Sequence, residues 1–135
     1  MTPERLQEII SHALVRQVGR FAIVGAIATA VHYAILIALV EFGHINPVLA
    51  TTLGYVVGIV VSYALNRRFT FSETTAPVVS SFAKFVLLYG VGAVLNGAIV
   101  GGLIGLGALY LLAQVAATGL VLFWNFFGAR YIVFR

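Results

Sequence analysis

The chain has 135 residues, of which 61% are hydrophobic and only 9% are charged, and its mean hydropathy is +1.07. About a quarter of the residues in a soluble domain are charged, so this composition excludes a soluble domain and indicates a single-domain integral membrane protein. The net charge of +4 comes from basic residues that flank apolar runs, which indicates membrane topology and not a nucleic-acid partner; the lack of cysteine excludes disulfides and thiolate sites.

Residues 1–17 are predicted to form an amphipathic helix on the membrane surface. Thr2 is a suitable N-cap, Pro3 fits the first helical position, and Glu4 lies near the positive end of the helix dipole. Apolar residues recur from Leu6 onward at helical spacing. The apolar run that follows is too long for the core of a cleavable signal peptide, so we expect it to be retained as a span.

The first half of the chain, residues 18–71, contains two predicted spans. One runs from Phe21 to Phe42 and carries no charge before Glu41. A loop from Glu41 to Pro47 follows, with Gly43 suited to ending a helix and Asn46-Pro47 to starting one. The second span runs from Val48 to Leu65, and basic and aromatic residues at its end indicate a membrane boundary.

The second half, residues 82–135, follows a polar linker at 72–81. Its apolar run is about twice as long as a bilayer's hydrocarbon core requires, so it must fold back once. The glycines between 101 and 107 place the turn there and give spans near 82–104 and 108–128.

The two halves are related in sequence. Arg67 and Arg130 are 63 residues apart, and so are Phe71 and Phe134. All eight Lys and Arg residues lie in the N-terminal segment, in the region 67–84 or in the C-terminal tail, so both termini and that region are predicted to face the cytoplasm. The predicted fold is an all-α integral membrane protein of four transmembrane helices, built as two parallel-related hairpins with an N-terminal surface helix.

Polar residues fall on one face of each span, and such faces are predicted to point into the helix bundle and to line a hydrophilic groove. The candidate groove residues are Thr29, His32, Tyr55, Asn66, Asn96, Gln114 and Asn125. The alternative is that these groups only hold helices together. That alternative is favoured for the hydroxyl residues, namely Thr29, Thr51, Ser62 and Thr118, because a hydroxyl can also bond to its own helix.

Three arginines are candidate phosphate ligands: Arg20, Arg67 and Arg130. Each lies within about one turn of a polar face, and a guanidinium offers paired donors that match phosphate oxygens. The alternative is ordinary placement of positive charge on the cytoplasmic side. The four acidic residues lie outside the span centres, and there is no metal-ligand spacing or nucleotide loop. We therefore predict no catalytic residue, no metal and no cofactor, and we disfavour a proton-coupled exporter of amphipathic compounds.

The sequence resembles the GtrA-like family of small four-span membrane proteins over about residues 18–135. The matching motifs are Arg20-Phe21-x-x-Val24-Gly25-x-x-x-Thr29, Asn46-Pro47-x-x-Ala50, Gly54-Tyr55-x-x-Gly58, Asn66-Arg67-Arg68-Phe69-Thr70-Phe71 and Asn125-x-x-x-x-Arg130-Tyr131-x-x-Phe134. The resemblance implies a non-enzymatic role in cell-surface polysaccharide synthesis, in which a polyprenyl-phosphate-linked monosaccharide is moved from the inner to the outer leaflet of the cell membrane. The alternative that it implies is a membrane anchor that recruits a glycosyltransferase.

The expected partners follow from that resemblance. They are the polyprenyl-phosphate-linked sugar, membrane lipids and a glycosyltransferase, with no nucleic acid. Four helices are few to enclose a phosphorylated sugar, so we also expect a homo-oligomer. We expect the protein in the inner membrane, with both termini in the cytoplasm.

Overall fold

The computed structural model describes the backbone of residues 1–135 and all side chains except those of Val48 and Tyr110. The four α-helices are α1 (Pro3–Glu41), α2 (Pro47–Leu65), α3 (Val78–Gly105) and α4 (Tyr110–Gly128). All four are long and apolar enough to cross a bilayer. The chain is therefore a multi-pass, all-α membrane protein, as the composition predicted.

The chain divides into two compact units, Met1–Ser72 (unit 1) and Glu73–Arg135 (unit 2). Each unit is one antiparallel helical hairpin, with α1 against α2 in unit 1 and α3 against α4 in unit 2. The buried side chains along the unit 1 seam are Phe21, Val24, Ala28, Ala50, Tyr63 and Phe71. The corresponding set in unit 2 is Phe85, Leu88, Ala113, Ala117, Phe126 and Val133. Small residues recur in both sets, which is how membrane helices approach closely without a hydrophobic driving force between them.

The N-terminal segment is helical, as predicted, but it is not a separate helix. The backbone amide of Arg5 donates to Thr2 Oγ1 (3.3 Å), so Thr2 is the N-cap and Pro3 begins α1. From there α1 runs without interruption to Glu41, because no proline or glycine pair separates the first four turns from the span. Residues 1–13 are all exposed. Their placement on a membrane surface stays a prediction.

The hairpin turns lie close to their predicted positions. α1 ends at Glu41 and α2 begins at Pro47, where the Ala50 amide donates to the Asn46 carbonyl (2.9 Å). In unit 2 the turn lies at residues 106–109, one to two residues later than predicted, because α3 continues to Gly105 and includes three of the four glycines of this region. The two turns share one backbone feature, a positive φ, at His44 (52°) and at Gly107 (93°). Gly107 adopts it without steric cost, whereas His44 carries a side chain there.

The linker between the units is shorter than the predicted 72–81. α3 begins at Val78, with the amide of Ser81 donating to the Pro77 carbonyl (3.0 Å). A proline just before a helix has the fixed φ that the helix needs, which explains the earlier start. The Thr74 hydroxyl donates to the Phe134 carbonyl (2.7 Å), so the linker is attached to the C-terminal end of unit 2.

Each hairpin ends in a π-helical turn that the sequence pattern did not predict. α2 continues into Asn66–Thr70 and α4 into Ala129–Val133. The amide of Phe71 donates to the Asn66 carbonyl (2.7 Å), and that of Phe134 donates to the Ala129 carbonyl (2.8 Å), so both bonds span five residues. Single π-helical turns are rare in proteins, and those that do occur are often found at functional sites. These two turns carry the basic residues that follow each second span.

An aromatic pair holds each π-helical turn against the first helix of its hairpin. The rings of Phe21 and Phe71 meet edge to face, with centroids 6.4 Å apart. In unit 2 the rings of Phe85 and Phe134 lie 6.1 Å apart. All four side chains are buried. The aromatic residues at the end of the second span indicated a membrane boundary. Of these, Phe71 is internal, whereas Phe69 is 51% exposed and fits the role of an interfacial anchor.

Candidate functional site

Unit 1 contains a polar group of three side chains between α1 and the first turns of α2, which we call the first polar cluster: His32, Thr51 and Tyr55. His32 Nε2 lies 3.1 Å from Thr51 Oγ1, so a hydrogen bond joins α1 to α2. The Tyr55 ring meets the His32 ring edge to face, with centroids 6.0 Å apart. His32 and Thr51 are half-buried, and Tyr55 is more exposed. The cluster thus offers a ring nitrogen, a hydroxyl and a phenol within a largely apolar span.

The helices come together tightly at this point because α2 has a glycine there. A methyl group on Gly54 would lie 2.8 Å from the His32 carbonyl oxygen and 2.7 Å from the ring carbon Cδ2. Such distances are shorter than van der Waals contact, so alanine at Gly54 would push α1 and α2 apart. The glycine therefore sets the distance over which His32 and Thr51 are bonded.

Unit 2 contains the second polar cluster: Asn96, Gln114 and Thr118. Gln114 Nε2 donates to Asn96 Oδ1 (3.2 Å) and to Thr118 Oγ1 (3.1 Å). The Thr118 hydroxyl in turn donates to the Gln114 carbonyl of its own helix (2.8 Å). Asn96 is half-buried, while the other two are exposed. Again one side-chain bond joins the first helix of the hairpin to the second.

The two clusters occupy the same place in the sequence repeat. Asn96 is 64 residues after His32, and Gln114 is 63 residues after Thr51. These are the offsets that also relate the basic and aromatic ends of the units. A polar bond between the two helices is therefore repeated at one position along each hairpin. Its first-helix member lies about 18 Å along the helix from the first-helix cation, since 12 residues separate His32 from Arg20 and Asn96 from Lys84.

The open end of unit 1 is cationic. Arg20 Nη1 donates to the carbonyl of Phe69 (3.3 Å), which belongs to the π-helical turn that also carries Arg67. Arg67 Nη1 donates to the hydroxyl of Tyr63 (3.4 Å). The structure thus places two of the predicted phosphate ligands, Arg20 and Arg67, at the same π-helical turn. Arg20 is exposed and Arg67 half-buried, so the pair combines solvent access with a lower local dielectric.

The open end of unit 2 carries Arg130 in its own π-helical turn. Its guanidinium lies over the ring of Tyr131, 5.5 Å from the ring centroid, which is a cation–π arrangement. Arg130 is half-buried. Its position in unit 2 repeats that of Arg67 in unit 1, as the offset of 63 residues predicted.

Asn66 is placed differently from the groove role suggested for it. The side chain is fully buried, with Nδ2 donating to Ser62 Oγ (3.3 Å) and Oδ1 accepting from Thr70 Oγ1 (2.8 Å). Gln17 Nε2 adds a bond to the Thr70 carbonyl (3.2 Å), which ties α1 to the same turn. This buried chain supports the π-helical turn from behind. Its amide has no surface to offer a ligand, so we assign Asn66 a structural role.

Thr29 and Asn125, the remaining candidates, lie in different environments. The Thr29 hydroxyl donates to the Gly25 carbonyl of its own helix (2.8 Å), as the packing alternative predicted for hydroxyls. Asn125 is half-buried, and its Oδ1 is a buried acceptor without a hydrogen-bond partner. A methyl group on Gly92 would lie 2.8 Å from that oxygen. Asn125 therefore faces α3 at a close helix contact, with one polar atom unused.

A sequence model of the GtrA/DPMS transmembrane domain matches residues 20–134, which is nearly the whole chain. The chain belongs to the GtrA/DPMS transmembrane-domain family. This confirms the resemblance that the Asn-Arg-Arg-Phe-Thr-Phe motif carried. The matched region begins at Arg20 and ends at Phe134, so it includes both polar clusters and both basic π-helical turns of this GtrA-like protein.

Sequence reasoning named residue types here but not their partners. Thr51 was interpreted as a packing residue, and its bond to His32 across α1 and α2 agrees with that interpretation. Thr118 bonds to its own helix, as the packing alternative predicted for hydroxyls, and it also accepts from Gln114. The indole Nε1 of Trp124 donates to the Leu88 carbonyl (3.3 Å), a bond that the sequence pattern did not predict. The sequence repeat pointed to Thr51. Asn96 follows His32 by 64 residues and Gln114 follows Thr51 by 63, and these offsets nearly equal the 63 residues between Arg67 and Arg130.

Proposed function

We propose that this protein moves a polyprenyl-phosphate-linked monosaccharide across the cytoplasmic membrane. The family is one involved in lipid-linked sugar translocation. The observation that carries the proposal is the repeated pair of inter-helix polar bonds at hydrocarbon depth, His32 to Thr51 and Asn96 to Gln114. Sugar hydroxyls need donors and acceptors to leave water, and neutral amide, imidazole and hydroxyl groups supply both without a fixed charge.

The cationic ends supply the other half of the chemistry. The polyprenyl tail stays in lipid throughout, while the phosphate and its sugar cross together, so the phosphate is first bound at the cytoplasmic interface. Arg67 in unit 1 and Arg130 in unit 2 lie in the π-helical turns at the ends of their hairpins, and Arg20, within α1, bonds to the unit 1 turn. At these places a guanidinium can form paired bonds with phosphate oxygens. The polar clusters then serve the sugar. Consumption of the sugar on the outer face would drive net movement.

The proposal includes a topology and an assembly. Both termini and residues 67–84 face the cytoplasm, and Phe42 at the opposite end of unit 1 faces the outside. Because the chain has no cysteine, single-cysteine variants report this directly. A membrane-impermeant maleimide added to intact cells should label Phe42→Cys and leave Ser72→Cys unlabelled. We also propose a homo-oligomer, to be measured by native mass spectrometry from nanodiscs.

The decisive experiment uses purified protein in liposomes that contain a polyprenyl-phosphate-linked monosaccharide, and it follows the accessibility of the sugar at the outer face. We expect Arg67→Ala with Arg130→Ala to lower the rate by roughly tenfold or more, since each charged hydrogen bond to phosphate is worth about 1.5–3 kcal/mol. His32→Leu with Asn96→Leu should also lower it. Arg5→Ala removes a cation from the exposed N-terminal segment and serves as the matched control.

Two results would contradict the proposal. If wild-type protein leaves the sugar inaccessible, the protein does not translocate this lipid. If wild-type protein is active and both double variants translocate the lipid at the wild-type rate, the arginines and the polar clusters do not form the translocation path. A cell assay separates translocation from the anchoring alternative: an anchor would tolerate His32→Leu with Asn96→Leu and would lose surface glycan when residues 3–16 are removed.

A further inference from the structure

The last turns of α4 and the π-helical turn that follows carry a run of neighbouring aromatic rings, which we call the aromatic ladder: Phe123, Phe127 and Tyr131. Phe123 and Phe127 are stacked with centroids 6.3 Å apart and planes 21° apart. Phe127 and Tyr131 follow at 6.1 Å and 5°. The three side chains are 50%, 41% and 55% exposed, so they form a continuous exposed aromatic surface. They follow one another at a spacing of four residues, the spacing at which helical side chains are neighbours.

Unit 1 lacks this feature at the matching positions. Sixty-three residues earlier, the chain has Val60, Ala64 and Arg68. Valine and alanine suit contact with the acyl chains of ordinary lipid, so bulk lipid alone does not require rings on this face. The ladder is therefore a departure from an otherwise close repeat, and it points to a ligand that only unit 2 receives.

The ladder ends at a cation. The Arg130 guanidinium lies over the Tyr131 ring at 5.5 Å. From Phe123 to Tyr131 the helix rises by about 12 Å, which is slightly less than one leaflet of a hydrocarbon core about 30 Å thick. A molecule with an unsaturated tail and an anionic head would thus place its tail on the rings and its head at Arg130, all within the leaflet that borders the basic end.

We propose that the aromatic ladder and Arg130 form the docking site for the polyprenyl phosphate carrier, with the first isoprene units of its tail lying along Phe123, Phe127 and Tyr131. This proposal rests on the proposed function and names the part of the lipid that the protein recognises. Branched, unsaturated isoprene units present C–H groups and double bonds to the ring faces, whereas a saturated straight chain presents a narrower and more mobile surface. The site selects for the tail, independently of the sugar.

Photolabelling in nanodiscs tests this inference without any transport step. The probe is a polyprenyl phosphate with a diazirine on its first isoprene units and no sugar, compared with a saturated alkyl phosphate of equal length that carries the same diazirine. We expect the polyprenyl probe to label peptides within residues 123–131. The triple variant Phe123→Leu, Phe127→Leu, Tyr131→Leu should lower this labelling by roughly tenfold, given about half a kcal/mol for each aromatic contact.

The controls separate loss of rings from loss of folding. Tyr131→Phe keeps the ring and should keep the labelling. Phe42→Leu removes an exposed ring at the opposite end of unit 1 and should change nothing. Labelling spread evenly over the lipid-facing helices, or equal labelling by the saturated probe, would overturn the proposal. So would a copy-to-copy disulfide formed in high yield by Phe127→Cys, because the rings would then be covered by a second subunit.

Failure of this inference differs from failure of the proposed function. If the ladder variants translocate the lipid-linked sugar at the wild-type rate and label normally, the docking site is elsewhere and the function stands. If wild-type protein labels on the ladder and does not translocate, the lipid site stands without the transport role.

Discussion

The two units share the same arrangement of helices and turns and differ in the side chains at the turns. Both have an inter-helix polar bond about one turn after the start of the second helix, a π-helical turn at the second helix end and a buried aromatic pair behind that turn. The interior of the turn differs. Unit 1 has Asn66 and Thr70 in a buried hydrogen-bonded chain, whereas unit 2 has Ala129 and Val133 at the same places. A π-helical turn in this fold therefore does not depend on polar side chains.

The close helix contacts of the two units also use different glycines. In unit 1 a tight contact lies at Gly54 on the second helix, and its counterpart in unit 2 is Ala117. Unit 2 has tight contacts at Gly92 on the first helix, whose counterpart in unit 1 is Ala28, and at Gly128 on the second helix, where an added methyl would meet the Leu88 side chain. Both units thus have glycines at close helix contacts, but not at the same positions of the repeat. Exchanging residues between the units is the direct way to test this comparison.

The largest effect is expected at Asn66. Asn66→Ala should lower the free energy of unfolding by about 2–3 kcal/mol, because it removes two buried hydrogen bonds, one to Ser62 and one from Thr70. Asn66→Ala with Thr70→Val copies unit 2 and should recover part of that loss, since it removes both ends of one bond. Unfolding is measured in bicelles by steric trapping. A double variant less stable than Asn66→Ala would contradict the equivalence of the two turns.

The next effect is expected at Gly54. Gly54→Ala should lower the free energy of unfolding by about 1–2 kcal/mol, because the added methyl meets the His32 backbone and forces α1 and α2 apart. It should also weaken the bond between His32 and Thr51, which can be followed by the shift of the His32 ring resonances in NMR. Gly97→Ala, where no atom lies within 4 Å of the added methyl, is the matched control and should be neutral.

A smaller effect is expected when the polar clusters are exchanged. His32→Asn with Thr51→Gln transplants the second polar cluster's pair into unit 1 and should leave the free energy of unfolding within about 0.5 kcal/mol of wild type. His32→Leu alone should cost about 0.6 kcal/mol, the typical value of such a bond in a membrane. If the transplanted pair is no better than His32→Leu, the two clusters are not interchangeable, and the shared depth has no shared role.

The smallest effect is a gain, at His44. This residue has a φ of 52° where unit 2 has Gly107 at 93°. His44→Gly should relieve the left-handed strain, but glycine also gives the unfolded chain more freedom, so we expect a net stabilisation of about 0.5 kcal/mol or less. Thermal unfolding in detergent measures it. A clear loss of stability would show that the His44 side chain does something in the turn that the backbone angle does not reveal.

Much of the fold was predictable because the membrane imposes simple rules. Span lengths, the Pro47 start of α2 and the segregation of Lys and Arg follow from hydrophobicity, from capping and from charge. The π-helical turns were not predictable, because a bond over five residues leaves no distinct pattern in one sequence. Nor was the burial of Asn66, since a polar face at 100° per residue does not say whether it meets a groove or a neighbouring helix.

For the candidate sites, the residue types and their faces were predictable, but their partners were not. Asn96 and Gln114 were named from their positions, and the bond between them appears only when the hairpin closes. The aromatic ladder was not predicted, because the stacking of Tyr131 on Phe127 depends on how the chain winds from α4 into its π-helical turn.

The extra residue in each π-helical turn has a consequence for how this chain can vary. Deleting one residue anywhere in 66–70 or 129–133 would let the turn close as regular α-helix, with a bond over four residues in place of five, and the residue after the turn would keep its angular position around the axis. Phe71 and Phe134 would then keep their aromatic partners, whereas a guanidinium inside the shortened turn would move. Homologous chains should therefore tolerate the loss of one residue in these segments better than the loss of one residue in the α-helices before them.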